Sequence, residues 1–370
     1  MQTHECGVLF YKEKIRGLKM IKIIAPKNGE VVCLQTALQK EFMAQGAKRD
    51  ARHRPNGEHW AEQQKYDRPY TGIDKTWPLP VKMVWEDEDN RSYFTIAVSK
   101  NADMSNAIEK LAKGNEFDFF NLETGVKYYW QIICGNDRSK VNTFYVLLTT
   151  PRTLYIDGVA NVRDLGGYKT KSGRRVKEGM LYRGGCFEDL VDKSRELTPL
   201  GLAELCSIGL KTDVDIRAEA EQEKQVTWEL TKNAGFDRIG ITLGEYDKIF
   251  TREHLKESQA EFIRLLADET KYPIYYHCWA GADRTGSFAF IIGAILGVEE
   301  QSLIDDYEFT SLSPQGARNS KGDGWVNFIN CLNEYKGDNI YEKVESFVTE
   351  YLGVEEDVLN KIREILIEKR

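Results

Sequence analysis

The sequence predicts two domains of different class: an all-β sandwich, then an α/β domain with a mainly parallel central sheet flanked by helices. Three observations lead there. At 370 residues the chain is longer than one hydrophobic core usually serves, and its 41% hydrophobic share can fill two. Up to about residue 152, short apolar runs with period-2 alternation are separated by Gly, Asn and Asp, a pattern of strands and turns. Beyond it, strand-like runs alternate with helical spacings, which argues for a parallel sheet with helices on its faces. The expected division is a short extension over 1–19, a sandwich over 20–152 and an α/β domain over 153–370.

In the first domain strands are expected at Met20–Ile24, Val81–Trp85, Ser92–Val98, Phe117–Phe120, Val126–Cys134 and Asn142–Leu148, with Trp85 in the core. Residues Phe42 to Pro69 hold Lys, Arg, His, Gln and Asp clusters with little periodicity and read as a long exposed insertion. Trp60, Tyr66, Tyr70 and Trp77 fall in this loop-like region. They suit a partner contact or packing beneath the loop equally well.

In the second domain Thr198-Pro199 is a helix opening, with Thr as cap and Pro at the first position, and Gly209 closes that helix. Leu210–Ile216 reads as a buried strand and Ile239–Leu243 as another. Helices are expected over Glu253–Asp268, where Leu255, Phe262, Leu265 and Leu266 share a face, and over Glu299–Phe309. Two amphipathic helices should occupy Glu342–Arg370.

The chain is organised around His277-Cys278-Trp279-Ala280-Gly281-Ala282-Asp283-Arg284-Thr285-Gly286. Pro273–Tyr276 leads in as a strand, and Ser287–Leu296 leaves as a helix apolar on every side, hence buried. A strand, a tight loop and a helix aim backbone N–H groups and the positive end of a helix dipole at one small volume, which suits a phosphate. Cys278 at the base of such a cradle sits in a field that favours a thiolate, the nucleophilic form. Arg284 adds a planar fork of donors for two phosphate oxygens. Trp279, Ala280, Gly281, Ala282 and Gly286 are the remaining cradle positions, expected to bind substrate through the backbone.

His-Cys-x5-Arg-Thr-Gly resembles the signature of the cysteine-dependent phosphatases, and Asp directly before Arg points to their bacterial tyrosine and dual-specificity branch. Asn161-Val162-Arg163-Asp164-Leu165-Gly166-Gly167-Tyr168, then Lys177 to Arg183, then Lys211 to Arg217 with its Asp-Ile-Arg ending, resemble further motifs of that branch in the same order. The resemblance covers roughly 153–370. It implies that Asp283 or, on a separate loop, Asp247 protonates the leaving group, with Asp283 preferred. It also implies that Thr285 hydrogen-bonds Cys278 and eases departure of the thiolate, and that Arg163 and Asp164 lie beside the loop, with Arg163 binding substrate or orienting the loop. An internal ion pair is the equally open reading of these two residues. Many relatives carry Lys where this chain has Ala282, which shifts the expected substrate toward a single phosphate such as phosphotyrosine and away from polyphosphorylated inositols. Leu122-Glu123-Thr124-Gly125-Val126-Lys127-Tyr128 is similar to the tyrosine corner of fibronectin type III domains, with Thr124 where Pro is frequent.

The function expected is therefore hydrolysis of phosphotyrosine, with dual specificity open, through a phosphocysteine. The alternatives are a phosphoinositide phosphatase, or a protein that binds a phosphorylated ligand with little turnover. No cofactor and no metal are called for: Cys-x2-Cys pairs and ligand-spaced His clusters are absent from the sequence. A net charge of −7 argues against a nucleic-acid partner. No run of about 18 apolar residues predicts membrane insertion. The seven scattered cysteines suit a reducing compartment, and the expected location is cytoplasmic. The expected partner is a phosphorylated protein or small phosphomonoester, and the first domain suits a protein-binding module and a spacer or folding partner equally well.

Overall fold

A computed structural model describes residues 21–46, 74–188, 196–223, 228–314 and 318–369. Two compact units emerge. The first comprises the described residues up to Glu30 with Lys82–Asp118 and Lys127–Tyr145; the second comprises 31–46, 74–81, Phe119–Val126 and Val146 onward.

The first unit is built from β1 (Ile21–Ala25), β2 (Val81–Asp87), β3 (Tyr93–Ser99), β4 (Ile108–Lys113), β5 (Glu116–Phe119), β6 (Lys127–Cys134) and β7 (Asn142–Val146). β1, β2 and β5 form one sheet, and β7, β6, β3 and β4 lie side by side in another. Period-2 alternation organises these strands: along β2 the residues Val81, Met83 and Trp85 are buried while Lys82 and Glu86 are exposed. Trp85 meets Phe94 edge-on at 5.2 Å, and Tyr128 stacks on Phe144 at 5.5 Å. The sequence reading found six of these strands within a few residues and missed β4, whose Leu111 is exposed.

The second unit holds β8 (Arg152–Thr153), β9 (Arg163–Asp164), β10 (Leu181–Gly184), β11 (Thr212–Asp215), β12 (Asp237–Gly240) and β13 (Ile274–His277), in the order β8-β9-β10-β13-β11-β12. β10, β13, β11 and β12 run parallel, and β8 and β9 complete the edge antiparallel. All four residues of β13 are buried, as befits a central parallel strand covered on both faces. Ile274 and Tyr276 face a core with Phe262, Phe288 and Ile292, while Tyr275 faces Leu154, Leu205 and Phe236 on the other side. The helix Asp283–Ile295 is buried from Thr285 onward, as its all-apolar surface requires. Thr198 caps the helix Pro199–Ser207 by accepting from the Gly201 N–H at 3.1 Å. None of the described helices is long and apolar enough to cross a membrane.

Two of the longer described helices lie where the sequence reading saw none: Asp323–Asn333, with Trp325 and Phe328 buried, and Ala37–Gln45. Ala37–Gln45 is opened by a capping box in which Thr36 and Gln39 exchange side-chain bonds with each other's backbone at 3.1 Å. Its Phe42, read as the start of a loop, meets Phe309 edge-on at 5.8 Å. Residues 47–73, with Trp60, Tyr66 and Tyr70, lie outside the described residues. Trp77 packs edge-on against Tyr155 at 4.8 Å. Phe119–Val126 belongs to the second unit through buried bonds. Arg152 donates to the Asn121 and Leu122 carbonyls at 2.7 and 3.0 Å, and Asn121 donates to Glu204 at 2.8 Å.

Candidate active site

Parallel β13 ends at His277, the chain turns through 278–282, and a helix begins at Asp283 without any side-chain cap. Its first-turn N–H groups are thereby left for a ligand at the C-terminal edge of the sheet. Cys278 lies at the base, 3% exposed, and its N–H donates to Thr285 Oγ1 at 2.9 Å. Thr285 thus accepts from the Cys278 backbone amide, whereas the bond expected from the sequence is one that eases departure of the thiolate. His277 is buried beneath, with Nδ1 3.1 Å from the Cys278 carbonyl and Nε2 3.0 Å from Asp213 Oδ1, an ion-pair distance without hydrogen-bond alignment. Burial alone would push the His277 imidazole down, but the carboxylates of Asp213 and Asp215 outweigh it and hold it above the usual histidine range.

Arg284 leaves the helix start beside Cys278 and acts on it electrostatically. Its guanidinium is ion-paired with Glu221, Nη1 to Oε2 at 2.8 Å and Nη2 to Oε1 at 3.4 Å. Glu221 reaches it because β11 ends in a buried fork: Arg217 donates to both Asp215 oxygens at 2.9 and 2.7 Å. Burial would raise the Asp215 carboxyl, yet His277 and Arg217 bring it down to about 2. Gln222 donates to the Arg217 carbonyl at 2.6 Å and fixes the helical turn Glu219–Gln222 that carries Glu221.

Asp283 points to the same mouth and is grasped by Arg318, Nε to Oδ1 at 2.6 Å and Nη2 to Oδ2 at 2.9 Å. The Tyr246 hydroxyl also donates to it, and that hydroxyl lies 2.7 Å from the Tyr307 hydroxyl. Burial would raise the Asp283 carboxyl, but Arg318, Tyr246 and Arg284 reverse that and hold it below the usual aspartate range. Asp247 begins the short helix Lys248–Thr251, and its charge acts on Cys331. On the same turn it is Glu245 whose charge acts on Arg284.

Of the residues singled out from sequence, the structure brings Cys278, Asp283, Arg284 and Thr285 together at this loop. Trp279 and Ala280 are half-buried along the loop, while Gly281, Ala282 and Gly286 are buried. Gly281 is the one loop position with φ at +63°, and a Cβ there would lie 2.2 Å from the Gly184 carbonyl carbon, so only glycine fits. Arg163, expected near substrate, is fully buried and donates to Asp306 Oδ1 at 2.7 Å, to Asn161 Oδ1 at 2.5 Å and to Thr310 at 3.2 Å. Its role is behind the loop. Glu221, Glu245, Tyr246 and Arg318 were not singled out from sequence. Of these only Glu221 carried a signal, standing in the charged run Arg217–Glu221 that follows the Asp-Ile-Arg strand.

The structure sets a buried cysteine under a helix start with an arginine on the first turn, and the chain belongs to the tyrosine phosphatase family. The family model matches residues 154–368. The chain is 27% identical over 176 residues, 42% of its length, to a Cupriavidus necator protein whose name assigns it provisionally to the tyrosine-protein phosphatases. It spans 61% of that relative's length. Among solved structures it is similar to the core catalytic domain of the PP-IP phosphatase SIW14 from S. cerevisiae in complex with citrate, at 12% identity and TM-score 0.28 over 48% of this chain and 89% of that one. It is also similar to P. aeruginosa TpbA in complex with phosphotyrosine, at 15% identity and TM-score 0.28 over 43% of this chain and 90% of that one.

Proposed function

We propose that this chain hydrolyses phosphomonoesters, phosphotyrosine foremost, through a phosphocysteine on Cys278. The observation that carries the reading is Cys278 at the base of an uncapped helix start, with Arg284 on that first turn. The Cys278 thiolate forms an S–P bond as the bond from phosphorus to the leaving oxygen breaks, and that oxygen takes a proton. Water then attacks phosphorus, the thiolate departs, and the water's proton passes to the same acid–base group. Arg284 and the backbone N–H groups supply the positive charge, so the scheme needs no metal.

Asp283 is the proton donor in this reading, although Arg318 holds it ionised in the free protein. An incoming phosphate dianion repels the Asp283 carboxylate and attracts Arg318, and both effects raise the carboxyl toward protonation. Glu245 is the rival, through its electrostatic reach to Arg284. Ala282 and the single loop cation Arg284 favour one phosphate per substrate.

The first unit fits a fibronectin type III-like sandwich that binds a protein partner. The reading is supported by a sheet of β1, β2 and β5 beside one of β7, β6, β3 and β4, with buried Tyr128 at the expected corner. A reducing, cytoplasmic setting goes with a catalytic thiolate, and the described cysteines are all free.

The test is a screen of purified protein against phosphotyrosine, phosphoserine and phosphothreonine peptides and phosphoinositides without added metal, alongside Cys278→Ser. Wild-type turnover on phosphotyrosine, with turnover lost and phosphate binding kept in the variant, is the expected result. Substantial turnover by Cys278→Ser would overturn the thiolate scheme.

A further inference from the structure

Behind the catalytic loop lies a cluster of polar side chains that never reaches the site. Asn161 Nδ2 donates to the carbonyls of Ala280 and Gly281, each at 3.1 Å. Arg183 Nη2 donates to the same Gly281 carbonyl at 2.7 Å. The two are tied together underneath. Arg183 Nη1 donates to Asp306 Oδ2 at 2.5 Å, Arg163 Nε donates to Asp306 Oδ1 at 2.7 Å, and Arg163 Nη1 donates to the Asn161 side-chain oxygen at 2.5 Å. Tyr168 gives Asp306 a further bond at 3.1 Å. Arg163, Arg183 and Asn161 are fully buried and Asp306 is nearly so.

A trans peptide is planar, and its C=O and N–H point in opposite directions. A carbonyl tied to the back of a loop therefore sends the N–H of the next residue to the front. We propose that Asn161 and Arg183, coupled through Arg163 and Asp306, are positioning residues that turn the amides of Gly281 and Ala282 into the phosphate cradle. The inference rests on the proposed phosphatase reading and adds what holds the cradle open. Asp306 holds both guanidiniums, and the buried Asp74 carboxylate acts on Arg163 as well, so the charges behind the loop are held among buried partners.

Asn161 also explains its own residue type. Its φ is +62°, a left-handed backbone that Asn and Asp accept more readily than other side chains, and its N–H donates to Asp74 Oδ2 at 2.7 Å. That makes Asn161→Asp the informative substitution. The carboxylate keeps the backbone preference and still accepts from Arg163. It cannot donate to Ala280 or Gly281. A merely structural role predicts that this variant is tolerated; a positioning role predicts that it loses the cradle.

The experiment compares wild type, Asn161→Asp and Arg183→Lys as full chains of confirmed cooperative unfolding. Three quantities are read: Kd for inorganic phosphate, kcat with a phosphotyrosine peptide, and amide hydrogen exchange at Gly281 and Ala282. The expected result in each variant is about tenfold weaker phosphate binding, kcat lower by roughly 10²-fold and faster exchange at both amides. Phosphate affinity and amide exchange within twofold of wild type in the folded Asn161→Asp protein overturn the proposal. A wild type that turns over no phosphoester overturns the functional reading alone, because the amide exchange still decides whether Asn161 and Arg183 set the loop. If Arg183→Lys fails to fold, Asn161→Asp carries the decision.

Discussion

The front and the back of the catalytic loop are built from the same parts, arginines set against carboxylates, and differ in burial. In front, Arg284 pairs with Glu221 and Arg318 with Asp283, and all four side chains are between 20% and 34% exposed. Behind, Arg163 and Arg183 pair with Asp306, and none of the three exceeds 7%. A half-exposed pair is worth little, about 0–1 kcal/mol, and water or a ligand can replace either partner. A buried pair cannot be broken without stranding a charge. The lesson is that burial alone divides one interaction into an exchangeable set, which a phosphate can open, and a fixed set, which shapes the loop.

The largest effect that would break this contrast is on stability. Asp306→Ala leaves Arg163 and Arg183 without their carboxylate and should cost about 3–5 kcal/mol of unfolding free energy by denaturant titration. A loss below about 1 kcal/mol would place the back of the loop in the same class as the front.

His277 provides the next effect. Its pKa is raised in the folded protein, so its pairing with Asp213 stabilises fully below the unfolded value of about 6.5 and is lost as pH rises through the folded value. Each tenfold gain in the proton affinity of the imidazole on folding contributes roughly 1.4 kcal/mol. Stability of the wild type should therefore decline on the alkaline side of about pH 6.5, and Asp213→Asn should flatten that decline. Equal slopes in the two proteins, followed by thermal melting across pH, would mean that His277 carries no charge.

At the front the effects fall on catalysis. Asp283→Asn should reduce kcat/KM by about 10²-fold for phosphotyrosine and only a few-fold for an activated aryl phosphate, whose leaving group departs unprotonated. Glu245→Gln and Asp247→Asn should affect both substrates alike. Leaving-group dependence in Glu245→Gln alone would move the acid to that turn. Arg318→Met should let Asp283 rise toward its ordinary range and carry the basic limb of the kcat/KM profile to higher pH.

The smallest expected effect is that of Glu221→Gln, which removes the carboxylate that Arg284 grips before substrate arrives. Stability should stay within about 0.5 kcal/mol of wild type, while inorganic phosphate binds a few-fold more tightly. Weaker binding would show that Glu221 helps to hold Arg284 in place for the ligand.

What the sequence revealed and what it hid follow one physical rule. Cys278, Asp283, Arg284 and Thr285 lie within one short loop, and the apolar run after them could only be a buried helix, so strand, loop and helix were legible together. Thr198-Pro199 and Gly209 marked a helix because capping is local chemistry. Thr36-x-x-Gln39 was equally local and was passed over, which cost the helix Ala37–Gln45. Glu221, Arg318 and Arg183 meet their loop partners from 63, 35 and 98 positions away. No periodicity relates residues so placed, and only the folded sheet brings them together.

The close approach of Gly281 to Gly184 restricts how such a protein can change its tastes. At Gly281 any side chain collides with backbone, Ala282 is sealed inside, and Gly184 is itself hemmed in, since a Cβ there would stand 2.2 Å from the Tyr275 hydroxyl. The loop that performs the chemistry is thus nearly closed to variation, with Trp279 and Ala280 its half-open positions. New selectivity would have to be written around it, at the half-buried positions Glu221, Glu245 and Arg318. A lineage of such proteins could diversify its substrates while the reacting centre stayed letter for letter the same.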